Sequence, residues 1–303
     1  MSDSHVLGHQ PGHSPQLVGT AETDAASNPS IFRLAASDVN FVVGTVLILV
    51  FVVFAIFAPL LAPYDPLEVN AIAALQSPSA AHWLGTDEYG RDLLSRVIWG
   101  SRASLAVAIG AAVLSALVGV PLGLAAGYFG GGLDVVIMRV LDAVLAFPLL
   151  LLAIMIMASL GTSTLTLMCT IGFLYVPYFG RLVRGSVLGV KNEVFVQASI
   201  ASGTPTRRLL SHVFLPNVAA PILVQLTLAM GISLLIEAGL SYLGLGLQPP
   251  TPAWGSMLRA SQGYLYVAPW YVLAPGACIF LAVLGFNLLS DGLRDVLDPH
   301  MRQ

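Results

Sequence analysis

The sequence predicts an all-α integral membrane protein with six transmembrane helices. Apolar residues make up 56% of its 303 residues and charged residues only 10%, and the mean hydropathy is +0.83. Soluble domains carry about 25% charged residues, so this chain has too few polar groups to cover its surface in water. Six apolar stretches are long enough to cross about 30 Å of hydrocarbon as helices. The excess apolar surface is therefore expected to face lipid.

Each predicted span is an apolar run that ends at charged residues, glycine or proline. The spans are 41–62, 103–128, 143–160, 163–179, 219–236 and 271–289. The third is predicted to begin earlier, near Leu133, because Arg139 and Asp142 are three residues apart and are expected to pair on one helical face. Pro148 is expected to bend this helix.

The basic residues predict that both termini are cytoplasmic. If the N-terminus lies inside, nine of the 13 Lys and Arg residues fall in inner segments and four in outer ones, as the positive-inside rule requires. Five of the 13 lie between Arg181 and Arg208.

The sequence divides the chain into four regions. Residues 1–40 are a polar cytoplasmic tail, expected to be disordered. Residues 41–102 are the first span and an outer loop, 103–290 a five-helix core, and 291–303 a C-terminal cytoplasmic tail.

The first outer connection, residues 63–102, ends in a run of glycine, polar and charged residues. Thr86 or Asp87 is expected to cap a helix on which Asp92 and Arg96 pair four residues apart. Its apolar face would consist of Leu93, Leu94, Val97 and Ile98. Such a helix would lie flat at the membrane interface. Two interpretations stay open: an entry segment that guides the chain into the second span, or a surface for an outside partner.

The inner connection, residues 180–216, has the pattern of two charged helices separated by a breaker. Ala198 and Ser199, followed by Gly203, would let another backbone or an aromatic side chain approach closely. A solvated loop has no need of such a small-residue face. This segment is therefore predicted to dock a cytoplasmic partner, with an ordinary loop as the alternative.

The last outer connection, residues 237–270, is dense in glycine and proline, which predicts irregular backbone. Irregular backbone near membrane depth persists only where it is buried in protein or lines a water-filled cavity. The loop is therefore predicted to line the mouth of a pathway. The candidate residues are Glu237, Gln248, Pro249, Pro250 and Trp254. For Glu237, a capping hydrogen bond or a hydrogen bond between helices is an equally open interpretation.

The sequence lacks the residues for catalysis within the membrane. Every histidine lies outside the six spans, so a buried nucleophile has no base. Lys191, the only lysine, lies between Val190 and Asn192 and cannot belong to a phosphate-binding loop. No catalytic residue and no bound cofactor are predicted, and ATP would have to be hydrolysed by another chain. Charged residues fall towards helix ends, which argues against a carboxylate relay for protons.

Metal and nucleic-acid binding are also not predicted. The evenly spaced His5, His9 and His13 are expected to be solvated in the tail. Cys169 and Cys278 lie in apolar runs and are expected to be small buried hydrophobic residues. A net charge of −3 does not suit a phosphate backbone.

From residue 41 onward the chain resembles the permease subunits of binding-protein-dependent ATP-binding-cassette importers, specifically the second permease of the dipeptide and oligopeptide importers. Three motifs carry the resemblance. In the first outer loop it rests on Gly85, Thr86, Asp87, Gly90, Arg91, Asp92, Ser95 and Arg96. The others are the last outer loop from Leu243 to Gly255 and the C-terminal run from Phe286 to Pro299.

The inner connection resembles the ATPase-docking segment of the same family, which usually reads Glu-Ala-Ala, three residues, Gly, and later Leu-Pro. The matching residues are Glu193 at the start of the short helix, Gln197, Ala198, Ser199, Gly203, Leu215 and Pro216. The spacing is that of the family, but Gln197 replaces the usual Glu. Any salt bridge made by that Glu is therefore in doubt here.

The resemblance implies the fold of a type I importer permease in a bacterial inner membrane. It implies a homologous permease as heterodimer partner, two cytoplasmic ATPases that use ATP and magnesium, and an extracytoplasmic solute-binding protein. The first outer motif would lie on the receptor side. Dipeptides or longer peptides are the cargo it suggests, with nickel chelates or another small solute as the alternative. A secondary transporter acting alone and a membrane scaffold are the rival classes.

Overall fold

The computed structural model of the chain describes residues 35–297. Most of the predicted tail at 1–40, with its three histidines, lies outside these residues, and so do residues 298–303. Nine helices are numbered here in chain order: α1 Val39–Leu61, α2 Leu93–Phe129, α3 Gly131–Leu145, α4 Leu149–Leu160, α5 Thr164–Val190, α6 Val194–Ala201, α7 Ala219–Tyr242, α8 Trp254–Ser261 and α9 Pro269–Leu297. Three short helical turns join α6 to α7: Thr206–Arg208, Leu209–Phe214 and Leu215–Asn217. Within the described range the regular structure is helical, apart from one isolated bridge between Thr86 and Asp92.

Five of these helices, α1, α2, α5, α7 and α9, are long and apolar enough to cross a membrane. The sixth predicted span differs from a straight helix, because α3 and α4 are bent by 86° relative to each other. At 15 and 12 residues, they are about 22 Å and 18 Å long, and neither alone crosses about 30 Å. The count is therefore five spans, or six if the bent pair is one span.

Two details of the third span are confirmed and one is wrong. The bend falls at Pro148, which directly precedes α4, and α3 begins at Gly131, close to the expected Leu133. The predicted pairing of Arg139 with Asp142 within α3 is wrong, because the Asp142 carboxylate lies 2.5 Å from Nη2 of Arg181 on α5. A carboxylate on the surface of α3 is within reach of a neighbouring helix as well as of its own.

The prediction of a separate interfacial helix in residues 63–102 is also wrong. Asp92 caps α2 by accepting a hydrogen bond from the Ser95 amide at 2.8 Å, so Thr86 and Asp87 are not the cap, and α2 runs unbroken past residue 103. Leu93 and Val97 pack against α8 and the start of α9 rather than lying in the interface. These residues thus form the start of the second span, and a surface for an outside partner stays a prediction.

Three further boundaries differ from the prediction. Helix α5 continues well past residue 179, to Val190, because its polar end packs on α3 and on the segment after α6. Helix α7 continues to Tyr242, and α8 is regular, so the irregular parts of the last connection are residues 243–253 and the short segment 262–268. Helix α9 extends to Leu297, into the predicted C-terminal tail.

Glycines set the closest helix packing. Gly119, Gly123 and Gly127 recur every fourth residue on α2 and lie against α5. A Cβ atom on Gly123 would lie 2.6 Å from the carbonyl oxygen of Gly180, and one on Gly127 would lie 2.7 Å from Cβ of Val187. Small residues at this spacing let two backbones approach closely, as in membrane helix pairs generally. The matching order of the contacts shows that α2 and α5 run parallel.

Both ends of the described chain lie at one end of the bundle. Gly292 near the end of α9 packs on Phe41 in α1, where a Cβ atom would lie 2.4 Å from the Phe41 amide nitrogen. This end also holds residues 191–218, and we call it the predicted inner end. The opposite end holds residues 62–92 and 243–268, and we call it the predicted outer end. Cys169, predicted to be buried, is exposed on α5, and Cys278 is partly buried.

Candidate functional site

The outer motif is organised around the buried carboxylate of Asp87. Its Oδ1 accepts hydrogen bonds from the backbone amides of Tyr89 at 2.9 Å and Arg91 at 3.0 Å, and its Oδ2 accepts one from Nε of Arg91 at 2.6 Å. The Nε atom of Arg96 lies 3.3 Å from the same Oδ2. One buried carboxylate therefore balances two guanidinium groups and holds the turn between them.

Asp92 is the second centre of the outer motif. Its Oδ1 lies 2.9 Å from Nδ1 of His82, and its Oδ2 accepts hydrogen bonds from the Ser95 amide at 2.8 Å and the Ser95 hydroxyl at 2.7 Å. The Ser95 hydroxyl oxygen in turn accepts a hydrogen bond from the amide of Tyr64 at 3.1 Å. The predicted pair between Asp92 and Arg96 is wrong, because Arg96 turns towards Asp87 and donates to the Pro66 carbonyl at 2.9 Å. Asp92 thus links the start of α2 to the loop that precedes it.

Gly90 occupies a position that only glycine fits. Its φ is +73°, and a Cβ atom would lie 1.8 Å from the Asn70 carbonyl oxygen. Thr86 reinforces the same packing, because its hydroxyl accepts a hydrogen bond from the Gln76 amide at 2.8 Å and donates one to the Ala73 carbonyl.

The structure therefore brings the eight predicted outer residues together, but as the interior of a loop. Those with side chains that are buried are Thr86, Asp87, Asp92, Ser95 and Arg96. The surface of this end is made by other residues, such as Trp83, which is 72% exposed. That the motif lies on a receptor side stays a prediction.

A polar cavity of about 480 Å³ opens between the outer motif and the last outer connection. Three of the five predicted mouth residues line it: Gln248, Pro249 and Pro250. The opposite wall consists of Glu88, Tyr89, Arg91 and Arg96. Sequence reasoning missed Arg259 of α8, which also lines the cavity. The available hint was that Arg259 is the only basic residue of the last outer connection.

The other two predicted mouth residues, Glu237 and Trp254, are fully buried between helices. The Ser241 hydroxyl, one turn further along α7, donates a hydrogen bond to Oε1 of Glu237 at 2.7 Å. Trp254 donates its indole Nε1–H to the Val97 carbonyl at 3.0 Å, and its amide donates to the Ser104 hydroxyl oxygen at 3.2 Å. Trp254 thus fixes α8 to α2 behind the cavity wall, whereas the Glu237 bond lies within α7.

At the predicted inner end, α6 is an exposed short helix. Val194 is 83% and Phe195 43% exposed, and Gln197 and Ala198 are exposed as well. Glu193 precedes the helix without a side-chain cap, and Gln197 donates its Nε2–H to the Lys191 carbonyl at 3.1 Å. In place of the family's usual acidic residue, Gln197 therefore has a local hydrogen bond.

The underside of α6 is anchored to the bundle. Val196 is fully buried in an apolar cluster with Leu209 and Phe214 from the following turns and with Val183 and Val187 of α5. Gly203, with φ at +75°, ends α6, while Leu215 and Pro216 are exposed where the chain turns into α7. An exposed helix fixed from below is suited to transmit the motion of a partner into α5 and α7.

Ion pairs attach the neighbouring elements to the same region. Arg184 of α5 donates to both carboxylate oxygens of Asp134 on α3, from Nε at 2.5 Å and from Nη2 at 2.6 Å. Lys191 donates to the carbonyl of Tyr128 at 2.6 Å and to that of Gly127 at 3.3 Å. The ends of α2, α3 and α5 are thus held together next to α6. Among residues 35–297, no group of three or more His, Cys, Asp or Glu side chains is arranged to hold a metal ion.

Comparisons with known proteins agree with this architecture. Residues 119–303 match the family model described as binding-protein-dependent transport system inner membrane component. Residues 38–78 match the N-terminal transmembrane domain of oligopeptide transport permease C.

Curated relatives match over most of the chain. The dipeptide transport system permease protein of Alkalihalophilus pseudofirmus is 48% identical over 86% of this chain and 86% of its own length. That of Haemophilus influenzae is 41% identical over 86% of this chain and 90% of its own. The glutathione transport system permease protein of Pectobacterium atrosepticum is 40% identical over 84% of this chain and 85% of its own.

Proposed function

The chain belongs to the family of binding-protein-dependent transport system inner membrane components, and from this premise we propose that it forms half of the translocation pathway of a bacterial dipeptide or oligopeptide importer. Its relatives at 48% and 41% identity are named dipeptide transport permeases, which supports peptide as the cargo. The protein lies in the inner membrane. The subunit moves solute and is not itself an enzyme, and ATP and magnesium are used by partner ATPases.

The observation that carries the proposal is the geometry of α6. Its solvent-facing side exposes Val194, Phe195 and Ala198 at the predicted inner end. Val196, on the opposite side of the helix, is fully buried against α5. Exposed apolar side chains on a fixed helix mark a contact surface for another protein. We assign this surface to an ATPase subunit, with Glu193, Gln197, Ala198, Ser199, Gly203, Leu215 and Pro216 in or beside the contact.

The proposed assembly has one homologous permease as heterodimer partner, two cytoplasmic ATPases and one extracytoplasmic solute-binding protein. The predicted inner end, with α6 and both chain termini, faces the cytoplasm, and the bent pair α3 and α4 completes a sixth span. The predicted outer end, which carries the Asp87 loop and the polar cavity, faces the receptor. The basic residues between Arg181 and Arg208 support this orientation.

Transport follows from alternating access. When ATP closes the two ATPases, α6 moves as a rigid body and carries the attached ends of α5 and α7 with it. The pathway then opens towards the receptor. Such a shift requires that ATP and the loaded receptor each bind the outward-open state more tightly than the inward-open state.

The proposal is tested by purifying the tagged chain from its native host in mild detergent and identifying the chains that accompany it. ATP hydrolysis is then measured with receptor alone and with receptor loaded with a dipeptide, glutathione or a nickel chelate. We expect a second permease and two ATPases, and hydrolysis stimulated most by the peptide-loaded receptor. A chain that purifies alone and transports solute in liposomes without ATPases would contradict the importer assignment. Stimulation by the nickel chelate alone would contradict the peptide cargo.

A further inference from the structure

The cavity at the predicted outer end contains a cation that the fold leaves without a counter-ion. Arg91 pairs with Asp87 at 2.6 Å and lies 3.8 Å from Glu88, and Arg96 lies 3.3 Å from Asp87. The guanidinium of Arg259 forms no hydrogen bond or ion pair with any residue in 35–297. Three guanidinium groups therefore meet two carboxylates around this space.

The backbone is shaped to hold Arg259 in this position. A Cβ atom on Gly244 would lie 1.4 Å from Nη1 of Arg259, so the guanidinium rests directly on a position that glycine alone allows. Gln248 fixes the same turn by donating from Nε2 to the carbonyls of Gly244 at 3.0 Å and Gly246 at 2.9 Å. The side chain is thus supported on one side and open to the cavity on the other.

The rest of the lining suits a small polar ligand. Besides the arginines, the lining includes Ser241, Thr251 and Ser256; the Ser241 hydroxyl already donates to Glu237 and the Ser256 hydroxyl to the Ala253 carbonyl. Glu237 lies behind Ser241, fully buried, and does not reach the cavity. A volume of about 480 Å³ falls within the range of about 300–1,000 Å³ for small-molecule sites.

We propose that this cavity binds the free carboxylate of a small solute as it enters the pathway, with Arg259 as its main partner. A planar guanidinium binds a carboxylate through two parallel hydrogen bonds, and an unpaired one in a recess is suited to that chemistry. The inference rests on the proposed peptide importer for the source of the ligand, namely the C-terminal carboxylate of a dipeptide. The chain would then select cargo in addition to the receptor.

The test labels the site directly and does not depend on transport. The permease pair with its ATPases is placed in lipid nanodiscs without receptor, and alanyl-photoleucine is added, a dipeptide that crosslinks to its neighbours on illumination. Its C-terminal amide serves as the probe that lacks the carboxylate. Mass spectrometry then locates the adducts. We expect adducts in residues 88–96 and 241–260. The yield of these adducts should fall at least fivefold in the Arg259→Gln variant, and at least fivefold when the amide replaces the acid.

Two further variants separate recognition from charge and folding. Arg259→Lys keeps the charge but loses the planar fork, and we expect intermediate labelling. Arg102→Gln removes an exposed arginine that stacks on Trp99 and does not line the cavity, so labelling is expected to stay within twofold of wild type. Equal labelling by acid and amide, or labelling unchanged in Arg259→Gln, would overturn the proposal.

The receptor could instead supply an acidic side chain to Arg259. In that case Arg259→Gln would weaken receptor binding to the nanodiscs and leave photolabelling unchanged, which would also overturn the proposal. Labelling of the cavity in a transporter that takes up no peptide would support this inference while contradicting the proposed cargo. The two hypotheses can therefore fail separately.

Discussion

At the predicted outer end the motif side chains point into the protein, whereas at the predicted inner end several of them point to solvent. Asp87 and Asp92 are buried and together make several charge-assisted hydrogen bonds. Gln197 and Ala198 are exposed, and only the underside of their helix is packed. The comparison teaches that the outer motif holds a loop in shape and the inner motif presents a surface, although both are short sequence motifs.

From this difference we expect substitutions in the outer motif to lower folding stability. Substitutions on α6 should instead weaken the coupling between ATP hydrolysis and the membrane helices. The largest loss is expected for Asp87→Asn, because the buried Arg96 would lose its counter-charge and Arg91 would keep only Glu88, at 3.8 Å. Breaking such a pair costs about 3–5 kcal/mol. The free energy of unfolding is measured in detergent, with tryptophan fluorescence as the signal. Glu68→Gln, in an exposed part of the same loop, is the control and should change stability by less than about 0.5 kcal/mol. Equal stabilities of the two variants would show that Asp87 does not hold the loop.

The next largest loss is expected for Gly90→Ala. Its new Cβ atom would meet the Asn70 carbonyl, so backbone strain and displacement together should cost about 3 kcal/mol. Gly203→Ala is a matched control, because its φ of +75° is similar to the +73° of Gly90 but nothing lies within 4 Å of the position. There only the left-handed conformation is penalised, by about 1 kcal/mol. If both variants lose the same stability in the same unfolding assay, the tight packing of the outer loop is disproved.

A smaller effect is expected for the ion pair between Asp134 and Arg184. Arg184→Gln removes two hydrogen bonds from a partly exposed pair that joins α3 to α5, and the loss should be about 1 kcal/mol. Arg181→Gln is the comparison, because its pair with Asp142 is more exposed, at 54% and 41% for the two side chains. A double-mutant cycle for each pair measures the coupling energy. A larger coupling for the more exposed pair would contradict this order.

The smallest change in stability is expected for Ala198→Arg, together with a loss of function. Ala198 is exposed, so the fold should change by less than about 0.5 kcal/mol, while the bulky charge should block docking. Ser199 is less suitable, because it is half-buried on the same face as Val196. Receptor-stimulated ATP hydrolysis is the measurement, and Ala198→Ser, which adds neither charge nor bulk, is the matched control. Normal stimulation in Ala198→Arg would contradict the docking assignment.

The sequence predicted the apolar helices, the bend at Pro148 and the small-residue segment, because each depends on local composition. It did not predict that α2 begins at Leu93, since Arg96 and Arg102 lower the hydropathy of its first turns. Nor did it predict the partner of Asp142, because Arg181 lies on another helix and no spacing along the chain reveals it.

The candidate site shows the same limit. Gln248 was recognised as a mouth residue from the irregular backbone around it. Arg259 was missed, because its position depends on how α8 folds back over Gly244. The sequence predicts Trp254 at the mouth because it lies in the loop, and Glu237 because it is an ionisable residue adjoining a span, although both are buried between helices. Local pattern therefore identifies the loop, and only the tertiary structure shows which of its residues face the cavity.

The central claim, that α6 docks an ATPase while the outer motif holds its loop in shape, is tested most directly by site-specific photocrosslinking. Benzoylphenylalanine is introduced at Phe195, which is 43% exposed, or at Trp83, which is 72% exposed, in a complex that retains receptor-stimulated hydrolysis. The account predicts an adduct with an ATPase subunit from position 195 and none with an ATPase from position 83. An active complex that gives no ATPase adduct from position 195, or gives one from position 83, would contradict it.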